Sequence, residues 1–567
     1  MENISKKGSY YFYGKEWESW DQLRAKFEWE IPQKMNAAFY VCDSHAEDKG
    51  KIAIFHEDIN GEKGKLTFWE LKNYTNRLAN YLQNQNLKIG DRVAICLPQR
   101  PETIIAHIAC WKLGCVSMPL TVLFGPDSLK YRLQHSGARI AIIENTVVDA
   151  FRESMQEIDN LESIIVVGDT EIKENEISYG EAICGMSRDF EPVELDPNDN
   201  MILIYTSGTT GEPKGAVHTH SWIFRGPGHF AALCNAEIKP GDVFWNPADF
   251  AWAGPLFDLA FPSLFYGKPM LTYTGGLKFD PEKAYRLIED YGLSILYIPP
   301  TGLRMMRQVD KPSERYDLSS GRVIMSGAEA FGKALPEWAE KTFGSQIVVH
   351  EAYGQTEGTL ITVNCQKYFE YKYNIGKAVP GLDVEILDEE GNIMPAEKQG
   401  EIAVKASDKN PVLFKEYWKN KSGTQEKFKG DWMLTGDIGI KDENGYFTFL
   451  SRKDDVIISS GYRIGPSEIE DVLLKHEAVL ENAVIGIPDE LRGQIVKAFV
   501  VLKKGFEAND DLSKELQTLV KSKLGKHEYP RKIEFVEELP KTTTGKIKRR
   551  ELRKIEELKS VKIDLST

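Results

Sequence analysis

Four aliphatic hydroxyls, three glycines and a lysine crowd the eleven residues Tyr205-Thr-Ser-Gly-Thr-Thr-Gly-Glu-Pro-Lys-Gly215. Gly208, Gly211 and Gly215 let the backbone approach a ligand closely. Thr206, Ser207, Thr209 and Thr210 add hydroxyls to the backbone N–H donors, and Lys214 adds a point charge, a set suited to triphosphate oxygens. A Walker A loop needs Gly-Lys-Ser/Thr opening a helix, whereas Pro213 precedes Lys214 and Gly215 follows it. Four further blocks follow in order: Glu351-Ala-Tyr-Gly-Gln-Thr-Glu357, Leu434-Thr-Gly-Asp437, Ser451-Arg-Lys-Asp-Asp-Val-Ile-Ile-Ser-Ser-Gly-Tyr-Arg-Ile-Gly-Pro-Ser467 and Leu539-Pro-Lys-Thr-Thr-Thr-Gly-Lys-Ile547. A short-stemmed carboxylate after glycine, as in Asp437, can accept from both hydroxyls of a ribose. Alone, a Thr-Gly-Asp turn or a lysine-rich C-terminal segment says nothing; together with the first loop they describe nucleotide chemistry.

The ordered set resembles the adenylate-forming superfamily: acyl-CoA synthetases, peptide-synthetase adenylation domains and luciferases. The resemblance covers essentially the whole chain. It implies ATP binding by Thr206, Ser207, Gly208, Thr209, Thr210, Gly211 and Lys214, and by Glu351, Ala352, Tyr353, Gly354, Gln355 and Thr356. Tyr353 would stack on adenine, Thr356 meet the α-phosphate, Glu357 hold Mg²⁺ and Asp437 take the ribose. Arg452 and Arg463 would contact the nucleotide, and Asp454 would be the hinge of a small mobile domain. Ser460, Gly461 and Tyr462 match the strip along which the pantetheine of CoA runs, with Arg492 and Lys521 towards its nucleotide half. Lys546 matches the lysine bridging carboxylate and α-phosphate, where an ammonium offsets the charge that grows as a carboxylate attacks a polyanion. Catalysis is thus expected from Lys546, Thr206 and Glu357.

Four positions bear on the acid. The resemblance implies a bulky tryptophan before Gln-Thr-Glu in acetate-specific members; here that position is Gly354. Trp252-Ala253-Gly254 stands where those members have Trp-Val-Thr, and Gly327 replaces another valine. A deeper apolar slot rewards each added methylene by ~0.8 kcal/mol, so a larger acid is expected, and the C-terminal wording looks most like medium-chain acyl-CoA synthetases. The alternatives are an acetyl- or propionyl-CoA synthetase, or a nucleotide- or acyl-binding regulator with decayed catalysis. A peptide-synthetase module is disfavoured because no carrier domain follows Thr567.

With 567 residues and a net charge of −14, the chain should hold more than one domain and bind neither nucleic acid nor an anionic membrane surface. Seven cysteines are scattered without a CxxC pair, so no zinc site or disulfide framework is suggested. No signal h-region or membrane-length apolar run is present. A cytoplasmic enzyme acting on small molecules is the expectation.

The elements that position these blocks follow from periodicity. Apolar runs such as Ile140–Ile143, Ile164–Val167, Met201–Ile204, Ile295–Ile298, Val323–Met325 and Ile347–Val349 read as buried strands. Helical patterns at 66–82, 101–113, 281–291 and 334–342 alternate with them. This predicts an α/β fold with parallel sheets covered by helices, over residues 1–452. From 453 to 567, a capping box at Ser467–Glu470, two long apolar runs, a helix at Leu512–Leu524 and a strand at Lys532–Val536 predict a small α+β domain. The basic stretch Lys546-Ile-Lys-Arg-Arg550 stands out in so acidic a chain.

Overall fold

The computed structural model describes residues 17–155, 158–206, 212–275, 279–329, 331–407, 410, 412–459, 462–489, 492–524, 529–542 and 546–564. By packing, the chain divides into two units: Met1–Asp383 with Val404–Met433, and Val384–Ala403 with Leu434–Thr567. A division by packing records which residues are buried together; the hinge expected at Asp454 concerns motion.

The larger unit is built on two mixed sheets. The first runs, edge to edge, through Glu416–Tyr417, Lys214–Thr219, Asn200–Thr206, Val116–Pro119, Arg92–Cys96, Ile140–Glu144, Ser163–Val167 and Glu176–Ser178. Pairing is parallel from Asn200–Thr206 onward, and the first two strands form an antiparallel edge. Ile140–Ile143 are all buried, and a strand covered on both faces has no use for alternation. Within this unit the second sheet runs through Gly376–Ala378, Thr359–Val363, Val348–Gln355, Val323–Gly327, Ile295–Tyr297, Phe244–Trp245, Met270–Thr274, Ile52–Asp58 and Lys63–Thr67. Its centre is parallel, with antiparallel strands at both ends. Each sheet has its own core, one around Ile143, Phe151 and Leu203 and the other around Tyr285, Leu296 and Phe343.

The expected helices form at Phe68–Asn84, Pro101–Leu113, Pro281–Tyr291 and Ala334–Phe343. Thr67 and Glu70 close a reciprocal capping box on the first, satisfying two amides that a helix start leaves open.

The smaller unit pairs Val384–Leu387, Gly400–Lys405, Trp432–Lys441 and Tyr446–Arg452 in one sheet. A second sheet joins Tyr462–Ile464, Ile457–Ser459, Gly493–Leu502 and Val479–Asp489, with Lys532–Phe535 beside Gly493–Leu502. Leu516 and Val520 of the helix Asp510–Lys523 fill its core with Ile469 and Leu473.

Two local expectations are corrected. The helix near Ser467 starts at Pro466 after Gly465 and has no side-chain cap, so Ser467 lies inside its first turn. Proline, with φ preset and no N–H to satisfy, takes the first position and displaces the serine. The strand expected to stop before Glu351 runs from Val348 to Gln355. Backbone partners on both sides, Val323–Gly327 and Thr359–Val363, carry it through the motif. Among the described residues, no helix is long and apolar enough to cross a membrane.

Candidate active site

Several candidate residues of the larger unit lie at the carboxyl ends of its strands, where open α/β sheets bind ligands: Thr206, Gly327 and Gly354-Gln355 end theirs. The phosphate-loop block is a hairpin, with Thr206 paired to Lys214 and its hydroxyl donating to Lys214 O at 3.4 Å. Ser207, Gly208, Thr209, Thr210 and Gly211 lie outside the described residues.

A residue that sequence reading passed over completes this corner. The short strand Glu416–Tyr417 edges the hairpin, pairing Tyr417 with Ala216, and Trp418 N donates to Gly215 O at 2.7 Å. This seats the buried Tyr417 between two candidate groups: its hydroxyl donates to Glu357 Oε1, and Lys214 Nζ lies 5.2 Å from its ring centroid. Phe414 N donates to Glu357 O at 2.8 Å, fixing the backbone of the same carboxylate. Glu357 is thereby a hard oxygen donor held by a phenol. Such a donor fits Mg²⁺, which takes one or two carboxylates beside phosphate oxygens and water. Nothing in the Lys415–Asn420 sequence points to Glu357; only the sheet edge brings them together.

The second block is well anchored. Glu351 Oε1 accepts from Tyr371 Oη at 3.4 Å, and its carbonyl accepts from Asn364 Nδ2 at 2.9 Å. Ala352 and Tyr353 are buried, Gln355 Oε1 accepts from Lys427 Nζ at 3.1 Å, and Thr356 begins the turn that ends at Gly358.

The glycines assigned to the acyl wall are points of close approach. A Cβ on Gly354 would stand 1.8 Å from Thr359 O, and one on Gly327 2.6 Å from Ala352 O. A Cβ on Gly254 would meet Tyr297 Oη at 3.1 Å and Asp258 Oδ2 at 3.7 Å. Trp252 and Ala253 lead into a π-helical stretch, Gly254–Ala260, a rare geometry that recurs at functional sites. Asp258 pairs with His229 at 2.9 Å and accepts from Thr359 Oγ1 at 3.4 Å. Burial pulls the nearby Arg225 guanidinium down to about 9, against the opposing pull of Asp258, and pulls the His218 imidazole down to about 3.

In the smaller unit, Asp437 and Arg452 are cross-strand partners joined at 2.8 Å. Glu401, also missed, accepts from Gly436 N at 2.9 Å and from Lys453 Nζ at 2.8 Å, tying the Thr-Gly-Asp turn to the start of the fourth block. Asp454 sits exposed in the turn Lys453–Asp455. Tyr462 and Arg463 lie in the strand Tyr462–Ile464, their side chains outside the described atoms, as are Ser460 and Gly461 altogether. Arg492 is exposed after Asp489, and Lys521 lies in the last turn of its helix, 5.5 Å from the Tyr529 ring centroid. Lys546 is exposed and tied twice to Thr542: its N donates to Thr542 Oγ1 at 3.1 Å, and its carbonyl accepts from Thr542 N at 2.7 Å.

Comparison with known proteins identifies the family. The model of the AMP-binding enzyme family matches residues 42–418, and that of the AMP-binding enzyme C-terminal domain matches 468–546. An acetyl-coenzyme A synthetase of Bacillus subtilis (strain 168) is 35% identical over 94% of this chain and 92% of its own length. The mitochondrial acyl-coenzyme A synthetase ACSM3 of Rattus norvegicus is 35% identical over 95% of this chain and 93% of its own. ATP-bound MatB from Rhodopseudomonas palustris superposes with a TM-score of 0.80 at 27% identity, over 92% of this chain and 99% of that one. The chain therefore belongs to the AMP-binding enzyme family, as an AMP-forming acyl-CoA synthetase whose substrates are a carboxylic acid, ATP and CoA.

Proposed function

We propose that the acid is longer than acetate, of the medium-chain fatty class. What supports this is the resemblance: this chain has Gly354 where acetate-specific members carry a tryptophan that closes the pocket behind two carbons. A second reading, acetate or propionate, draws on the opposing geometry: Thr359 O covers Gly354, and Tyr297 Oη covers Gly254. Measuring kcat/KM across straight-chain acids from two to ten carbons, with branched and aromatic acids beside them, decides. A maximum at two or three carbons overturns the longer-acid reading.

In the proposed chemistry, a carboxylate oxygen attacks the α-phosphorus, the bond from that phosphorus to the bridging oxygen breaks, and pyrophosphate leaves with the electron pair. The loop from Thr206 to Lys214 holds the β- and γ-phosphates, Thr356 the α-phosphate, Tyr353 the adenine, and Asp437 the ribose with Arg452 and Arg463 nearby. Lys546 offsets the charge that builds where the two anions meet. Glu357, held by Tyr417, would carry Mg²⁺, which when bound neutralises triphosphate charge as a Lewis acid. In the second half-reaction the CoA thiolate attacks the acyl carbon, and AMP departs. We assign the pantetheine path to Ser460, Gly461 and Tyr462, and the CoA nucleotide contacts to Arg492 and Lys521. Rotation of residues 453–567 about Asp454 separates the two half-reactions. Residue-level support lies in the Tyr417–Glu357 and Asp437–Arg452 pairs. All seven cysteines are unpaired thiols, which supports a reducing compartment such as the cytoplasm.

A further inference from the structure

The basic stretch beginning at Lys546 is not a solvated tail. Arg549 opens the helix Arg549–Asp564 and grips Glu470 with two nitrogens, Nε at 3.2 Å and Nη2 at 2.6 and 2.8 Å. Its Nη1 lies 3.6 Å from Asp455 Oδ2. One helical turn on, Arg553 donates to Asp455 Oδ1 from the same face. Glu470 is buried and also accepts from Val484 N at 2.7 Å, so it is anchored to the edge strand Val479–Asp489. Two arginines and two carboxylates thus balance in a largely enclosed cluster, where a forked guanidinium–carboxylate pair fixes orientation as well as charge. Asp455 is the last residue of the turn that holds Asp454, and Arg549 lies three residues beyond Lys546. The chain between is itself pinned: Lys548 N donates to Pro540 O at 2.8 Å, Lys541 bridges Ile547, and Ile547 packs on the core around Ile485 and Leu552.

We propose that Arg549 is a positioning residue: with Glu470 and Asp455 it joins the turn carrying Lys546 to the turn carrying Asp454. The two then move as one piece, and rotation at the hinge delivers the ammonium to a reproducible place. This rests on the assignments of Lys546 and Asp454 made above. Misplacement of a reacting group by ~1 Å lowers a rate by about a hundredfold, and that is the scale of loss expected when the fork is removed.

The test compares Arg549→Gln, Arg549→Lys and Asp455→Asn with the parent enzyme and with Lys546→Ala. Three quantities are read: kcat and KM for pyrophosphate release with acid and ATP, thioester formation from synthetic acyl-AMP plus CoA, and melting temperature. Arg549→Gln should lose about a hundredfold in the kcat of adenylation, with KM for ATP and thioester formation unchanged. Arg549→Lys keeps the cation without the fork and should fall between. Full adenylation in a folded Arg549→Gln enzyme overturns the proposal, as does equal loss of both half-reactions. If Arg549→Gln does not fold, Asp455→Asn, which leaves the Glu470 fork in place, decides by the same readouts. A Lys546→Ala enzyme that adenylates normally would instead show that the lysine was wrongly assigned, a failure separable from that of the clamp.

Discussion

Replacing Tyr417 by Phe removes one oxygen from the corner where the phosphate-loop hairpin meets Glu357. The ring stays: its contacts with Phe414, 4.8 Å between centroids, and with Lys214, 5.2 Å away, need no hydroxyl. What is lost is one hydrogen bond to a carboxylate, worth about 1.5–3 kcal/mol when the acceptor is charged. If that bond aims Glu357 at the metal in the adenylation transition state, the loss appears there, and at ~1.4 kcal/mol per factor of ten it predicts a roughly ten- to hundredfold slower turnover. The assay is pyrophosphate release at saturating acid and ATP across a Mg²⁺ titration, alongside Mn²⁺ affinity measured by electron paramagnetic resonance with a non-hydrolysable ATP analogue. The variant should need more metal in both, while its melting temperature and its thioester formation from synthetic acyl-AMP stay close to the parent values. Unchanged turnover with unchanged metal affinity would refute the role given to Tyr417.

Lys546→Ala should abolish acyl-AMP formation and spare thioester formation from acyl-AMP plus CoA; parallel loss of both would make the lysine a structural residue. Gly354→Ala drives a Cβ into Thr359 O, so it should destabilise the fold by about 1–3 kcal/mol of overpacking, seen as a lower melting temperature. An unchanged melting temperature would show that the backbone there yields, leaving pocket volume as the reason for glycine. Burial holds His107, His218 and His220 at about 3 and His45 and His350 at about 4. Unfolded histidine titrates near 6.5, so below that pH the unfolded chain binds protons that the folded chain refuses. Stability should therefore be full above about pH 6.5 and fall by about 2 kcal/mol per buried histidine between pH 6.5 and 5. Urea midpoints that stay flat over that interval would contradict the burial of these rings.

Much of this protein is legible in its sequence. Buried parallel strands are continuously apolar because both their faces are covered, so Ile140–Ile143 and Met201–Ile204 identify themselves. A proline at a helix start shows locally, as at Pro101, whereas the cap expected at Ser467 gave way to Pro466 and the cap at Thr67 was not read. The candidate blocks at 205–215, 351–357 and 539–547 are contiguous in sequence, so the family resemblance could be read from them directly. What tertiary structure alone decided is whatever depends on residues meeting across long separations. Tyr417 and Glu357 are sixty positions apart, and Arg549 and Glu470 are seventy-nine apart. No periodicity or local spacing encodes such a pair, because sheet registry and helix docking select it only after the backbone has folded. The glycines make the same point from the other side. In sequence, Gly354 is an absence of volume, whereas in the fold Thr359 O occupies the place where its side chain would be.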